Sequence, residues 1–182
     1  MKRIVIGFLS VVLSALFLVP TGPAATAAPY CGITWGSTAK ADAGSAPGAA
    51  LEDVRAGRHT CYDRLVLDVD GDLNGWDVRY VPVVYAEGSG APLPVAGAAD
   101  LQVVIRVPAY DEHGDPTYMP TNPRQLVNVS AFTTFEQVRW GGSFEGQTTI
   151  ALGVRARLPF RVIVLDGPGD GSRLVIDVAH RW

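Results

Sequence analysis

The chain has 182 residues, 48% of them hydrophobic and 18% charged, with a formal net charge of −3. That length is enough for one domain with a real core, and the acidic balance disfavours nucleic acid as a partner, because phosphate contacts need a basic surface. At the start, Lys2 and Arg3 precede a largely apolar run from Ile4 to Val19, followed by small residues ending Ala25-Thr26-Ala27. The run is short for a bilayer span and has the layout of a secretory signal peptide. An uncleaved N-terminal anchor is the alternative. Cleavage after Ala27 makes 1–27 the leader and 28–182 the mature domain, in which 13 basic residues face 18 acidic ones for a net charge of −5. No transmembrane segment is then expected.

Export bears on Cys31 and Cys61, the only two cysteines. In an oxidising compartment an even pair reads as a disulfide, closing the N-terminal segment onto the strand that begins at Tyr62. That strand holds Arg64-Leu65-Val66-Leu67-Asp68-Val69, which returns near the end as Arg173-Leu174-Val175-Ile176-Asp177-Val178. Each copy alternates, placing Leu65, Leu67 and Val69, or Leu174, Ile176 and Val178, on one face. The echo suggests a fold of two similar halves, or convergence on good strand chemistry.

Between the copies, turn residues recur too often for any helical period to persist over three turns, so the chain reads as all-β. Asp77 to Tyr85 is expected as a strand in which Pro82 forces an edge position or a bulge. Leu101 to Val107 alternates as a half-buried strand. Phe132 to Trp140 and Thr148 to Val154 follow, and Phe160 to Leu165 is apolar on both faces apart from Arg161, as in a central strand. Three segments, 41–50, 87–100 and 108–124, lie outside this pattern, and the prolines at 108, 116, 120 and 123 make the last a long loop. Seven to nine strands with two similar halves predict a two-sheet β-sandwich.

Motifs for chemistry are incomplete. Asp70, Asp72 and Asn74, ahead of Gly75, open like a calcium loop, but Val81 stands where a bidentate glutamate should close it. Asn74-Gly75 instead favours a polar hairpin turn. His59, His113 and His180 have no zinc-hydrolase spacing. Glu112-His113-Gly114-Asp115 is a local cluster in the proline-rich loop, either a weak metal ligand set or a solvated turn. Gly141 to Gly146 misses the serine elbow, having Glu145 where the elbow needs glycine. No cofactor motif is present, and nothing identifies an enzyme.

The most suggestive surface runs from Trp140 to Arg161. Trp140, Phe144, Gln147, Arg155 and Arg157 offer an aromatic for stacking and charged donors for a glycan bearing carboxylates. The competing account is structural, with Trp140 and Phe144 packing the core edge and the arginines pairing with aspartates.

The stretch Gly57-Arg58-His59-Thr60-Cys61-Tyr62-Asp63-Arg64-Leu65-Val66-Leu67-Asp68, the tail Gly142-Ser143-Phe144-Glu145-Gly146-Gln147-Thr148-Thr149 and Leu158-Pro159-Phe160-Arg161 together resemble the AMIN-like domain proteins of high-GC Gram-positive bacteria. That family is related to the AMIN targeting domain of cell-wall amidases. The resemblance spans Cys31 to Trp182. It implies a sandwich of two similar sheets, a secreted or cell-wall-associated location, and binding to peptidoglycan or another cell-wall glycan, but it carries over no binding residue. No catalytic domain follows Trp182, so the expectation is a non-catalytic module. An assembly or inhibitor partner of an exported protein and a small wall-acting enzyme are the alternatives.

Overall fold

The computed structural model describes residues 29–182, so the expected signal peptide, 1–27, lies outside the described residues. Nine strands form two antiparallel sheets. The five-stranded sheet runs β1 (Lys40–Asp42), β4 (Trp76–Val81), β7 (Ala99–Ile105), β9 (Gln147–Val154), β8 (Phe135–Phe144). The four-stranded sheet runs β10 (Phe160–Asp166), β11 (Ser172–Ala179), β3 (Tyr62–Asp70), β2 (Ala50–Arg58). A short pair, β5 (Val84–Tyr85) with β6 (Pro92–Leu93), stands apart from both.

Period-two alternation explains the core. Leu65, Leu67 and Val69 of β3 and Leu174, Ile176 and Val178 of β11 meet Leu101, Val103 and Ile105 of β7 and Ile150, Leu152 and Val154 of β9 in one buried cluster. Each such side chain contributes about 1.5–3 kcal/mol on leaving water. The all-β, two-sheet sandwich expected from the sequence is what the structure has.

The echoed hexapeptides lie side by side in one sheet. β3 and β11 are antiparallel neighbours with Val66 opposite Val175, which sets Arg64 opposite Asp177 and Asp68 opposite Arg173. A segment with arginine first and aspartate fifth is self-complementary in this arrangement, because antiparallel pairing about the third residue brings each charge against its opposite. One end uses this: the Arg64 guanidinium donates to both oxygens of fully buried Asp177, at 2.6 and 2.9 Å, and Arg161 adds a third donor at 2.8 Å. At the other end Arg55 of β2 takes Asp68 instead, at 2.6 and 2.8 Å.

Several local expectations change. Asp70 to Gly75 is no hairpin turn, since β3 and β4 belong to different sheets; buried Leu73 anchors this crossing in the core. Gly75 adopts φ +98°, and a Cβ there would overlap the Gly44 carbonyl oxygen. Pro82 neither bulges nor edges a strand. It lies just past Val81, where β4 ends, lacking the N–H a ladder would need. The Phe160 to Leu165 strand is an edge strand, with Val164 and Leu165 partly exposed.

Candidate functional site

The chain leaves β4 at Val81 and crosses the outer face of the five-stranded sheet as a flap, residues 82–98. Val84 and Leu93 of the flap bury against Ala151 of β9. Hydrogen bonds pin it: Glu87 N to Gly141 O (2.7 Å), Ala96 N to Gln137 Oε1 (2.8 Å) and Arg139 Nη1 to Pro94 O (2.7 Å). Close approach is possible because position 153 is glycine; a Cβ there would overlap the Ala96 carbonyl oxygen.

Where the flap does not reach, a cleft of about 360 Å³ remains. Its floor is formed by alternate residues of three strands: Asp77 and Arg79 of β4, Gln102 and Val104 of β7, and Gln147 and Thr149 of β9, with Arg106 just past β7. Tyr85, Ala86 and Glu87 of the flap form one wall. Glu87 Oε1 accepts from Gln147 Nε2 at 2.9 Å and from Thr149 Oγ1 at 2.5 Å, which fixes the wall to the floor. Arg79 Nε lies 2.9 Å from Asp77 Oδ1 as an ion pair, but off the line of a hydrogen bond, so that buried oxygen has no donor among the described residues. Arg106 donates to the carbonyls of Ala43 and Gly44 at 2.8 and 3.1 Å. Two aromatics stand beside the cleft: Tyr85, 56% exposed, and Phe144, 49% exposed, which pairs across the hairpin with Gln147.

Two acids and two arginines balance each other in the cleft, so it suits a ligand with little net charge. Two side-chain amides, a carboxylate with an unused acceptor oxygen and flanking rings are the groups that orient a polyhydroxylated ligand.

The five binding residues expected from the sequence do not converge. Gln147 lines the cleft and Phe144 flanks it. Trp140 lies half-buried against the core, opposite Ile150 and 5.4 Å from the Tyr118 ring. Arg155 and Arg157 follow the end of β9 at Val154 and are not on a strand. They sit beyond the far end of a strand about 26 Å long, at the usual rise per residue. Arg155 donates to the His180 carbonyl, and Arg157 to Ser37 O at 3.2 Å while lying over the Tyr80 ring. Tyr85, Glu87, Gln102 and Arg106 were missed. The outward-facing phase of the Leu101 to Val107 alternation held Gln102 and Arg106; the flap residues gave no pattern to find.

Cys31 and Cys61 are bonded, as expected. Asp72 and Asn74 project into solvent on either side of buried Leu73, and among the described residues no three His, Cys, Asp or Glu side chains gather as a metal set. Asp111 Oδ1 accepts from the backbone N–H groups of His113 and Asp115, both at 2.9 Å, so the segment 111–115 is a capped turn. Ser143 Oγ accepts from Ala109 N and donates to Thr148 Oγ1, whose own proton goes to the Val107 carbonyl. No helix among the described residues is long and apolar enough to cross a membrane.

No curated protein matches the chain. The AMIN-like domain matches residues 49–180, a span that starts at the edge of β2, ends just past β11 and contains the whole cleft. With both sheets but β1 inside that match, the chain belongs to the AMIN-like domain family, a cell-wall-related targeting or binding module.

Proposed function

We propose that this protein is a non-catalytic envelope module, exported by way of residues 1–27, that binds peptidoglycan or another cell-wall glycan in the cleft between the flap and the five-stranded sheet. The carrying observation is the cleft itself: charge-balanced, floored by Gln102 and Gln147, and flanked by Tyr85 and Phe144. Aromatic rings beside planar polar side chains stack on the apolar faces of sugars while bonding their hydroxyls. Family membership supports a cell-wall-related ligand, and the Cys31 to Cys61 disulfide suits an extracytoplasmic protein.

Co-sedimentation with purified sacculi tests this, paired with thermal melting. Tyr85→Ala and Gln102→Ala should each weaken binding by about 1–3 kcal/mol, the range for a lost hydrogen bond or ring contact, with little change in Tm. Arg155→Ala and Arg157→Ala serve as the distal comparison. Equal losses from the distal arginines alone would move the site away from the cleft. A wild-type protein that never sediments with sacculi would end the glycan reading.

A further inference from the structure

On the opposite outer face, that of the four-stranded sheet, one groove differs in charge from the cleft. This groove, of about 290 Å³, runs between Arg55, Arg64 and Arg173, over a floor of Val66 and Val175. Ala56, Gly57, His59 and Leu165 complete it, and no acidic side chain lines it. Four guanidinium groups around this face, those of Arg55, Arg64, Arg161 and Arg173, share two carboxylates. Arg55 holds Asp68, while Arg64 and Arg161 share Asp177. Asp53, opposite Asp68 in the register, is a third carboxylate near Arg55, so the four cations outnumber the neighbouring acids by one on a chain whose formal net charge is −3.

Arg173 is the unmatched member. The antiparallel register sets it opposite Asp68, but Asp68 is held on both oxygens by Arg55. Arg173 donates from one terminal nitrogen to the Asp166 carbonyl at 3.1 Å, and its buried Nε has no acceptor among the described residues. A guanidinium left without an acid, in a groove without acids, is a planar fork matched to a carboxylate. The valine floor and Leu165, 37% exposed, add an apolar surface beside that fork, which favours an anion attached to a short aliphatic group over a free, fully hydrated one.

We propose that this groove is a second binding site, for the free carboxylate of a small acyl-amino acid or peptide end, with Arg173 as its principal anchor. It lies on the sheet facing away from the glycan cleft and does not depend on it.

The test is a two-dimensional NMR titration of the wild-type chain with N-acetylalanine, its uncharged amide and inorganic phosphate. The acid should produce saturable shifts centred on Val66, Val175 and Leu165, and the amide should bind at least tenfold more weakly. Arg173→Gln should lose at least tenfold at unchanged Tm, and Arg173→Lys should fall between, keeping the charge but not the fork. Equal binding of acid and amide, or shifts confined to Gln102 and Gln147, would overturn the site. Phosphate binding more tightly than the acid would overturn recognition of an acyl carboxylate. The acid-against-amide comparison needs no variant, so a misfolded Arg173→Gln leaves the proposal open to refutation, and cleft variants that lose sacculi while still binding the acid separate the two sites.

Discussion

Three side chains, two fully buried and one partly buried, show how single residues fix the relation between loops and sheets. Asp63 is fully buried yet satisfied, accepting from Thr134 N at 2.5 Å and Phe135 N at 3.3 Å and facing His180 Nε2 at 3.2 Å. One carboxylate thus ties β3 to the start of β8 and to the C-terminal segment. Asp177 does the same work for β3, β10 and β11 through Arg64 and Arg161; removing such a buried acid would strand two cations. Tyr80 is the third. Its hydroxyl donates to Leu158 O at 2.7 Å and accepts from Leu158 N at 3.1 Å, while its ring meets Phe160 edge-on at 5.7 Å. Burial pushes this phenol up to about 12, against the lowering effects of the Leu158 hydrogen bond and of Arg157. Because the folded state raises the pKa of an acid, it favours the neutral phenol. The stabilisation is fully present below the ordinary phenol range and is lost as pH rises through about 12. An absorbance titration of tyrosinate should show a component with that midpoint, absent in Tyr80→Phe. The same variant should cost about 1–3 kcal/mol in denaturant melts, since it leaves the Leu158 N–H and C=O without their partner. A Tyr80→Phe titration identical to wild type would refute the assignment.

At the scale of elements, the flap depends on Gly153. A methyl group at that position has to displace the Ala96 carbonyl, so Gly153→Ala should lift residues 95–97 and loosen Val84 and Leu93 from Ala151. Hydrogen exchange should quicken at Glu87 N and Ala96 N while the amides of β3 and β11 stay protected; unchanged exchange in the flap would show that the sheet yields instead. This element also marks what the sequence could not reveal. β3, β7, β9 and β11 were legible because each sends large apolar side chains at alternate positions into the core between the sheets, which writes period two into the chain whatever covers the other face. β2 was not, because a bulge between Leu51 and Asp53 breaks its alternation. β10 was misplaced at the centre because apolar residues on both faces mark a central strand only when both faces are covered, and Val164 and Leu165 are not. Of the candidate site, Phe144 and Gln147 were legible as a flexed hairpin rich in side-chain chemistry. The remainder comes from laying a flap of two-residue strands across a sheet, a contact that no local period records.

For the whole molecule, the question is how much of the fold lies within the family match at 49–180 and how much the N-terminal segment adds. Residues 29–42 touch both layers. Cys31 is bonded to Cys61, Trp35 packs 6.0 Å from the Tyr62 ring and over Arg161, Gly36 bridges to Phe160, and β1 covers the edge of β4. Closing a loop between residues 30 apart in sequence is worth about 3–4 kcal/mol in the chain-entropy model. Each kcal/mol moves the Tm of a domain this size by about 2–4 °C, so Cys31→Ser with Cys61→Ser should lower Tm by roughly 6–16 °C. A fragment beginning at residue 43 with Cys61→Ser loses the disulfide, the Trp35 packing and β1 together. It should melt lower still, yet cooperatively, because every strand of both sheets except β1 remains. Its β4 edge would then present the N–H and C=O groups from Trp76 to Val78 that β1 pairs in the full chain, lengthening the kind of edge that templates pairing between chains. Light scattering should accordingly detect concentration-dependent self-association in the fragment that the double-serine full chain lacks. A fragment that melts with the double-serine chain and stays monomeric would show that Trp35 and β1 add nothing, and that the disulfide alone accounts for the segment's hold on the sandwich.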